Sequence, residues 1–213
     1  MGRKYASIHI RTDKPEEVIE KLKGRYVTDH DNMKNLMNMA CKFINGEQAR
    51  YLLERTHDLW TSEVLVIRYA SFVSVYDDRL SFETVEKKAR ELSKDIDEPV
   101  AYTSVFDDDI FFFGVYRRGK IITGGRVGEN LRVYGIKPKA VNIDKFCKAI
   151  NVLKPCSLEG TNGTNNIKAM EDEIENLLQV PLNLSPDEVR SDPTHFVKKD
   201  RDDMEFSVYE YKS

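Results

Sequence analysis

The sequence predicts an α+β fold, an antiparallel or mixed sheet with helices chiefly on one face. Three observations carry that expectation. The stretch Pro99 to Thr123, PVAYTSVFDDDIFFFGVYRRGKIIT, reads as three short strands separated by Asp107-Asp108-Asp109 and Arg117-Arg118-Gly119. β-Branched and aromatic residues suit a pleated, half-buried surface, whereas Asp and Gly belong where a chain reverses, so the stretch is an antiparallel meander. Runs at 5–11 and 64–76 supply further strands, and stretches at 81–96, 142–153 and 167–178 repeat apolar residues at helical spacing.

Taken in order, Tyr5, Ser7 and His9 alternate with Ala6, Ile8 and Ile10, a strand with one apolar face and His9 on the sheet surface opposite. Asp13 can cap a helix with Pro15 in its first turn, Glu16 and Glu17 at its positive end, a stripe of Val18, Ile19 and Leu22, and Gly24 to end it. Residues 31–60 read as helical, with Met33, Leu36, Met37, Ala40, Phe43 and Ile44 on one face and a break at Asn45-Gly46. A methionine-rich stripe suits a plastic binding groove, but packing on the core is the plainer reading, with Cys41 a buried thiol beside it. Residues 1–213 read as a single domain in which 1–60 can form a semi-independent βαα lobe.

The run from Glu63 to Tyr76 is one long bent strand or two strands broken near Ala70-Ser71, and it ends at Asp77-Asp78. Ser81 can cap a helix with Val85, Ala89, Leu92 and Ile96 on one face and Lys87, Lys88, Arg90 and Lys94 on the other. After the meander, GGRVG reads as a mobile glycine loop, and a helix follows from Asn142 to Leu153. KPCSLEGTNGTNN then marks a flexible connection to a helix with Ile167, Met170, Ile174, Leu177 and Leu178 on one face, stopped before Pro181. Two tail strands, His195 to Lys198 and Glu205 to Tyr211, close the chain.

The totals narrow the function classes. A chain of 213 residues with 33 Lys+Arg against 36 Asp+Glu carries a net charge of only -3, which draws it toward neither nucleic acid nor an anionic membrane. Cys41, Cys147 and Cys156 form no CxxC pair and no zinc spacing, against both a disulfide framework and structural zinc. The N-terminal MGRKYASIHIRT lacks the apolar core of a signal peptide, and no later stretch approaches the ~20 apolar residues that span a bilayer. The expectation is a cytoplasmic protein.

Candidate chemistry centres on the acidic turns. If the strands ending at Asp77-Asp78 and Asp107-Asp108-Asp109 lie side by side, Asp77, Asp107 and Asp109 are the oxygen ligands that a hard cation, Mg²⁺ or Ca²⁺, would take. The spacing fails the calcium-loop pattern, and Asp in turns commonly serves its own backbone. Arg126 in GGRVG could face a phosphate, yet neither GxGxxG nor GxxxxGK[ST] is present. His9, His30, His57 and His195 are scattered, with no GxSxG or HExxH. Arg117, Arg118 and Lys120 make a basic turn, and with Lys87, Lys88 and Arg90 could meet nucleic acid only if all shared one surface.

The succession SFVSVYDD, a helix ending in ELSKDIDEPV, then SVFDDDIFFFGVYRRGK resembles a family of uncharacterised bacterial proteins. These carry a strand ending in an acidic pair, a helix ending in Leu-Ser, and a strand, acidic turn and strand followed by an exposed Gly. The likeness covers roughly 72–120, with a weaker echo at 167–178, and Asp108 stands where the family tends to show Ser in an Asp-Ser-Asp turn. It implies architecture and no activity. The function expected from the residues is a non-catalytic protein-interaction module, immunity or antitoxin-like, with Asp78, Asp108, Arg117 and Arg118 facing a protein partner. The alternative is a divalent-metal-dependent enzyme or ligand-binding protein using the clustered aspartates.

Overall fold

The computed structural model describes residues 2–26, 64–139, 142–153, 166–199 and 206–212. The strands are β1 (Lys4–Arg11), β2 (Val64–Tyr69), β3 (Phe72–Asp77), β4 (Val100–Phe106), β5 (Ile110–Arg117), β6 (Lys120–Val127), β7 (Phe196–Lys199) and β8 (Phe206–Tyr211). The helices are α1 (15–26), α2 (Val85–Asp95), α3 (Ile143–Ala149), α4 (Ile167–Leu178) and α5 (Pro186–Ser191). All eight strands join one sheet in the order β6-β5-β4-β1-β3-β2-β8-β7. Every pairing is antiparallel except β2 with β8, so the sheet is mixed and the class is α+β.

Short turns set the local pairings. Ala70 and Ser71 reverse the chain between β2 and β3, so the long β-forming run is a hairpin in which Tyr69 opposes Phe72. At the β5–β6 turn Arg118 and Gly119 have φ of 50° and 73°, the paired left-handed conformation of a two-residue hairpin. Gly119→Ala is expected to cost about 1 kcal/mol in urea unfolding, because Ala resists that φ. Its methyl would also sit 3.0 Å from Lys94 Cγ, so a neutral result would count against this turn geometry.

Helices cover both faces of the sheet, not chiefly one. On one face Val18, Ile19 and Leu22 of α1 and Val85, Ala89 and Leu92 of α2 pack against Ile8, Ile10, Val73, Val75, Val100 and Phe206. On the other, Phe146 of α3, Met170, Ile174 and Leu177 of α4 and Val189 of α5 pack against Leu65, Ile67, Phe111, Phe113 and Tyr209. Phe111 and Phe113 stack at 5.6 Å, and Phe146 meets Phe113 edge-on at 5.3 Å. The meander strands show why: their apolar residues do not alternate with polar ones, the mark of strands buried on both sides.

Burial on both faces moves His9 from the surface into the interior, where it is 0% exposed. Its Nε2 lies 2.9 Å from Ser7 Oγ and its Nδ1 lies 2.9 Å from Ser74 Oγ. Ser7 Oγ donates to the Leu182 carbonyl at 2.8 Å and also meets Thr103 Oγ1 at 2.9 Å. A hydroxyl has one proton, so with that proton on Leu182 the serine accepts from His9 Nε2–H and from Thr103, and His9 Nδ1 accepts from Ser74. This polar seam ties β1, β3 and β4 to the segment after α4, which Tyr76 Oη also holds by donating to the Pro181 carbonyl.

Other expectations shift. β1 lies inside the sheet between β4 and β3, so residues 2–26 do not stand apart as part of a separate lobe. Helix α1 runs through Gly24, and Thr84 rather than Ser81 takes the N-cap position of α2. Gly124 to Val127 extend β6 instead of forming a loop, since Gly124 opposes Gly114 and a Cβ on Gly114 would meet the Tyr102 ring at 2.7 Å. The helix expected at 31–60, Cys41 and Cys156 lie outside the described residues.

Candidate functional site

The acidic turns leave the sheet at the same end. Across β1, Tyr76 opposes Ser7 and Phe106 opposes Lys4, so β3 and β4 run parallel to each other with β1 between them. They are therefore not side by side, and their ends sit two strand spacings apart, roughly 10 Å laterally. Asp77, 6% exposed, accepts from the Arg79 backbone N–H at 3.0 Å and from Arg79 Nε and Nη2 at 2.8 and 3.0 Å. Asp78 is exposed in the turn beyond.

The other acidic turn is bound to its surroundings residue by residue. Asp107 and Asp108 have φ of 54° and 58°, and Asp109 N–H donates to the Phe106 carbonyl at 3.0 Å, a tight turn that Asp tolerates better than most residues. Lys4 Nζ pairs with Asp107 at 3.5 Å. Asp108 accepts from Arg3 N–H at 3.0 Å and Arg3 Nε at 2.7 Å, and these two bonds hold its carboxyl below the usual carboxylate range. Asp109 accepts from Asn130 Nδ2 and Tyr134 Oη, both at 3.1 Å. Among the described residues no group of three or more His, Cys, Asp or Glu is placed to hold a metal ion.

Arg3 continues inward from Asp108. Its Nη1 and Nη2 donate to the two carboxylate oxygens of Glu171 at 3.0 Å each, and Tyr5 Oη donates to Glu171 Oε1 at 2.7 Å. Burial, and then the Glu171 carboxylate, push the Tyr5 hydroxyl pKa upward, so it stays a donor. The sequence carries a trace of this staple. Glu171 falls four residues after Ile167 and three before Ile174, on the apolar stripe of α4, where a carboxylate must find a partner.

Above this staple lies a depression of about 640 Å³ lined by Arg3, Asp108, Asp109, Glu129, Asn130 and the start of α4. Its walls carry both signs of charge. Arg3, Asp108 and Asp109 are committed to the bonds just described, and it suits a polar group in contact with water. The Ser7–His9 contact offers no nucleophile either, because both side chains are fully buried and His9 Nδ1 meets a serine instead of an orienting carboxylate.

The basic turn is at the opposite end of β5, braced on the end of α2. Gly119 N–H donates to Ser93 Oγ at 3.0 Å, and Arg90 Nε donates to the Gly119 carbonyl at 3.3 Å. Arg117 Nε donates to the Asp97 carbonyl at 3.1 Å, and Arg118 Nε to the Asp97 carboxylate at 3.3 Å. Arg90, Lys94, Arg117 and Arg118 thus gather at the turn, with Arg118 paired to the Asp97 carboxylate. Lys88 does not join them, since its ammonium sits 4.5 Å from the Tyr26 ring centroid. Arg126 is turned to Glu86 at 3.6 Å and lies over the Phe112 ring at 5.5 Å, which commits it within the fold.

Next to this turn β6 is an outer strand of the sheet, with Ile121 42% and Ile122 36% exposed. Neither isoleucine stands out in the sequence, because an exposed edge strand and a central one share the same composition. The fold and its two ends define a mixed-sheet α+β protein with a charge-stapled acidic end and an apolar edge beside a basic turn. No protein-family model, curated protein or solved structure matches the chain. Among the described residues no helix is long and apolar enough to cross a membrane.

Proposed function

We propose that the protein is a non-catalytic protein-interaction module of the cytoplasm whose binding surface is the outer edge of β6 beside the hairpin, together with the Arg117–Lys120 turn. The observation that carries this reading is the pair Ile121 and Ile122, exposed on an edge strand while the other apolar side chains of the meander are buried or half-buried. An apolar edge with outward backbone groups is a template for another chain, and here a register shift between Ile121 and Thr123 bends the edge where both isoleucines are exposed. An immunity or antitoxin-like role, in which one protein acts by occupying another, asks for such a surface and no catalytic group. Arg117 and Arg118 keep the partner-facing role expected of them, while Asp108 is a structural residue.

Cross-linking and affinity capture from the lysate of the source cells at low salt tests the reading. A specific protein is expected with the wild type, and its recovery should fall about tenfold with Ile121→Asp, which sets an unpaired charge in the apolar contact. Capture of no specific protein, or equal capture by the variant, would remove the β6 edge as the binding surface.

A further inference from the structure

We infer that the outer edge of β6 over Lys120 to Thr123 accepts an extended acidic segment of a partner protein as an added antiparallel strand. This rests on the interaction-module reading and adds to it the occupant and the manner of binding. The first support is the direction of the backbone. The two-residue hairpin closes on Arg117 and Lys120, whose backbone groups face each other, so the N–H and C=O of the next residue, Ile121, point outward. Ile122 is then an extra residue, because the register moves from Tyr116 opposite Ile121 to Val115 opposite Thr123, and beyond this bulge the outward positions fall on Gly124 and Arg126. Further along, Arg126 N–H already points outward and donates to the Lys139 carbonyl at 3.1 Å in an antiparallel bridge. The chain itself therefore uses one part of this edge in the way proposed, and among the described residues nothing pairs with the part beside the turn.

Charge selects the occupant. Arg90, Arg117 and Arg118 are fixed by bonds to Gly119 and Asp97, and Lys94 lies against Gly119, so the cations are held around the start of the edge instead of waving in solvent. A second copy pairing through the same edge would bring two such basic turns together, which like-charge repulsion opposes. An acidic strand brings carboxylates to them while an apolar side chain beside Ile121 covers that isoleucine. Main-chain bonds then supply affinity, and the alternating side chains supply selectivity.

A displayed library of random peptides, selected against the intact protein, reads out the occupant. Enriched peptides should alternate Asp or Glu with β-branched or aromatic residues. The best of them, made synthetically, should protect the Ile121 amide from hydrogen exchange and lose about tenfold or more in affinity when its alternate backbone nitrogens are methylated. Ile121→Pro, which deletes the outward donor, should weaken binding by a similar factor, whereas Ile121→Thr, which keeps it, should bind more nearly as the wild type does. Equal affinity of the methylated peptide, or an unprotected Ile121 amide, would overturn strand addition. Acidic peptides that still bind and are lost with Arg117→Glu would then leave the interaction reading standing. Enrichment of basic peptides, a concentration-dependent dimer abolished by Ile121→Pro, or binding to a random DNA duplex in place of peptide would overturn the acidic occupant. Failure to enrich any peptide would overturn the inference, and failed capture from lysate would separately overturn the reading beneath it.

Discussion

Lowering the pH from 7 to 5 should destabilise the protein, and His9 should account for most of the loss. Burial holds its imidazole pKa down, from 6.5 to about 3. The unfolded chain takes up a proton below 6.5 while the folded chain refuses it until about 3, so between those values the unfolded state binds more protons. The stability that depends on neutral His9 is thus complete above pH 6.5 and declines as the pH falls toward 3. The slope approaches roughly 1.4 kcal/mol per pH unit for a single proton.

The hydrogen bonds give the physical cause. A proton added at Nδ1 would confront the hydroxyl proton that Ser74 now donates, and the charge would be placed where no water reaches. Urea unfolding at a series of pH values, run on the wild type and on His9→Gln, checks this. The variant should be less stable at pH 7 but flatter between pH 7 and 5. Parallel curves would mean that His9 takes up its proton equally in both states.

Arg3→Met should cost about 2–3 kcal/mol, less than the loss of one partner from a fully buried pair because the Arg3 side chain is 42% exposed. Glu171 is 3% exposed and would keep Tyr5 at 2.7 Å, with Lys168 only at 3.8 Å. Its charge would then lie beneath the sheet end without the guanidinium that now takes both oxygens. Replacing both residues with Met should recover much of the loss, since an apolar pair of similar volume avoids the desolvation cost. A double-mutant cycle by urea unfolding should show a coupling of about 1–3 kcal/mol. Additive losses would show that the two residues do not act as a pair, and that α4 is held to the sheet by its apolar stripe alone.

Much of the secondary structure was legible because its signals are local. The stripes Val18, Ile19, Leu22 on α1 and Val85, Ala89, Leu92, Ile96 around α2 are buried as their spacing required. The break at Ala70-Ser71, the first two strands and both turns of the meander, and the tail strands lie within a residue or two of where composition put them, whereas β6 runs four residues past the expected Thr123. The candidate site was less legible. Asp77, Asp107 and Asp109 looked like possible ligands because the sequence shows their charges and not their partners. Lys4 reaches Asp107, and Asn130 and Tyr134 reach Asp109, only once the sheet end is assembled, whereas Arg79 meets Asp77 from two residues away. Glu171 was visible as a carboxylate on an apolar stripe, but its partner Arg3 stands 168 residues away.

By itself, then, the sequence determined most of the described helices and strands, though not the helix Pro186–Ser191 or the second half of β6, most of the turns, and that strands and helices share one α+β architecture. Those properties depend on neighbours within a few residues, through periodicity, turn chemistry and capping. Only the tertiary structure decided that β1 enters the middle of the sheet, that helices close both faces over His9, and that Asp107 and Asp108 are met by Lys4 and Arg3. It alone decided that Ile121 and Ile122 lie on an edge. Strand order and burial depend on pairings between distant residues, and a strand's own residues do not say which strand, or whether any, will lie beside it.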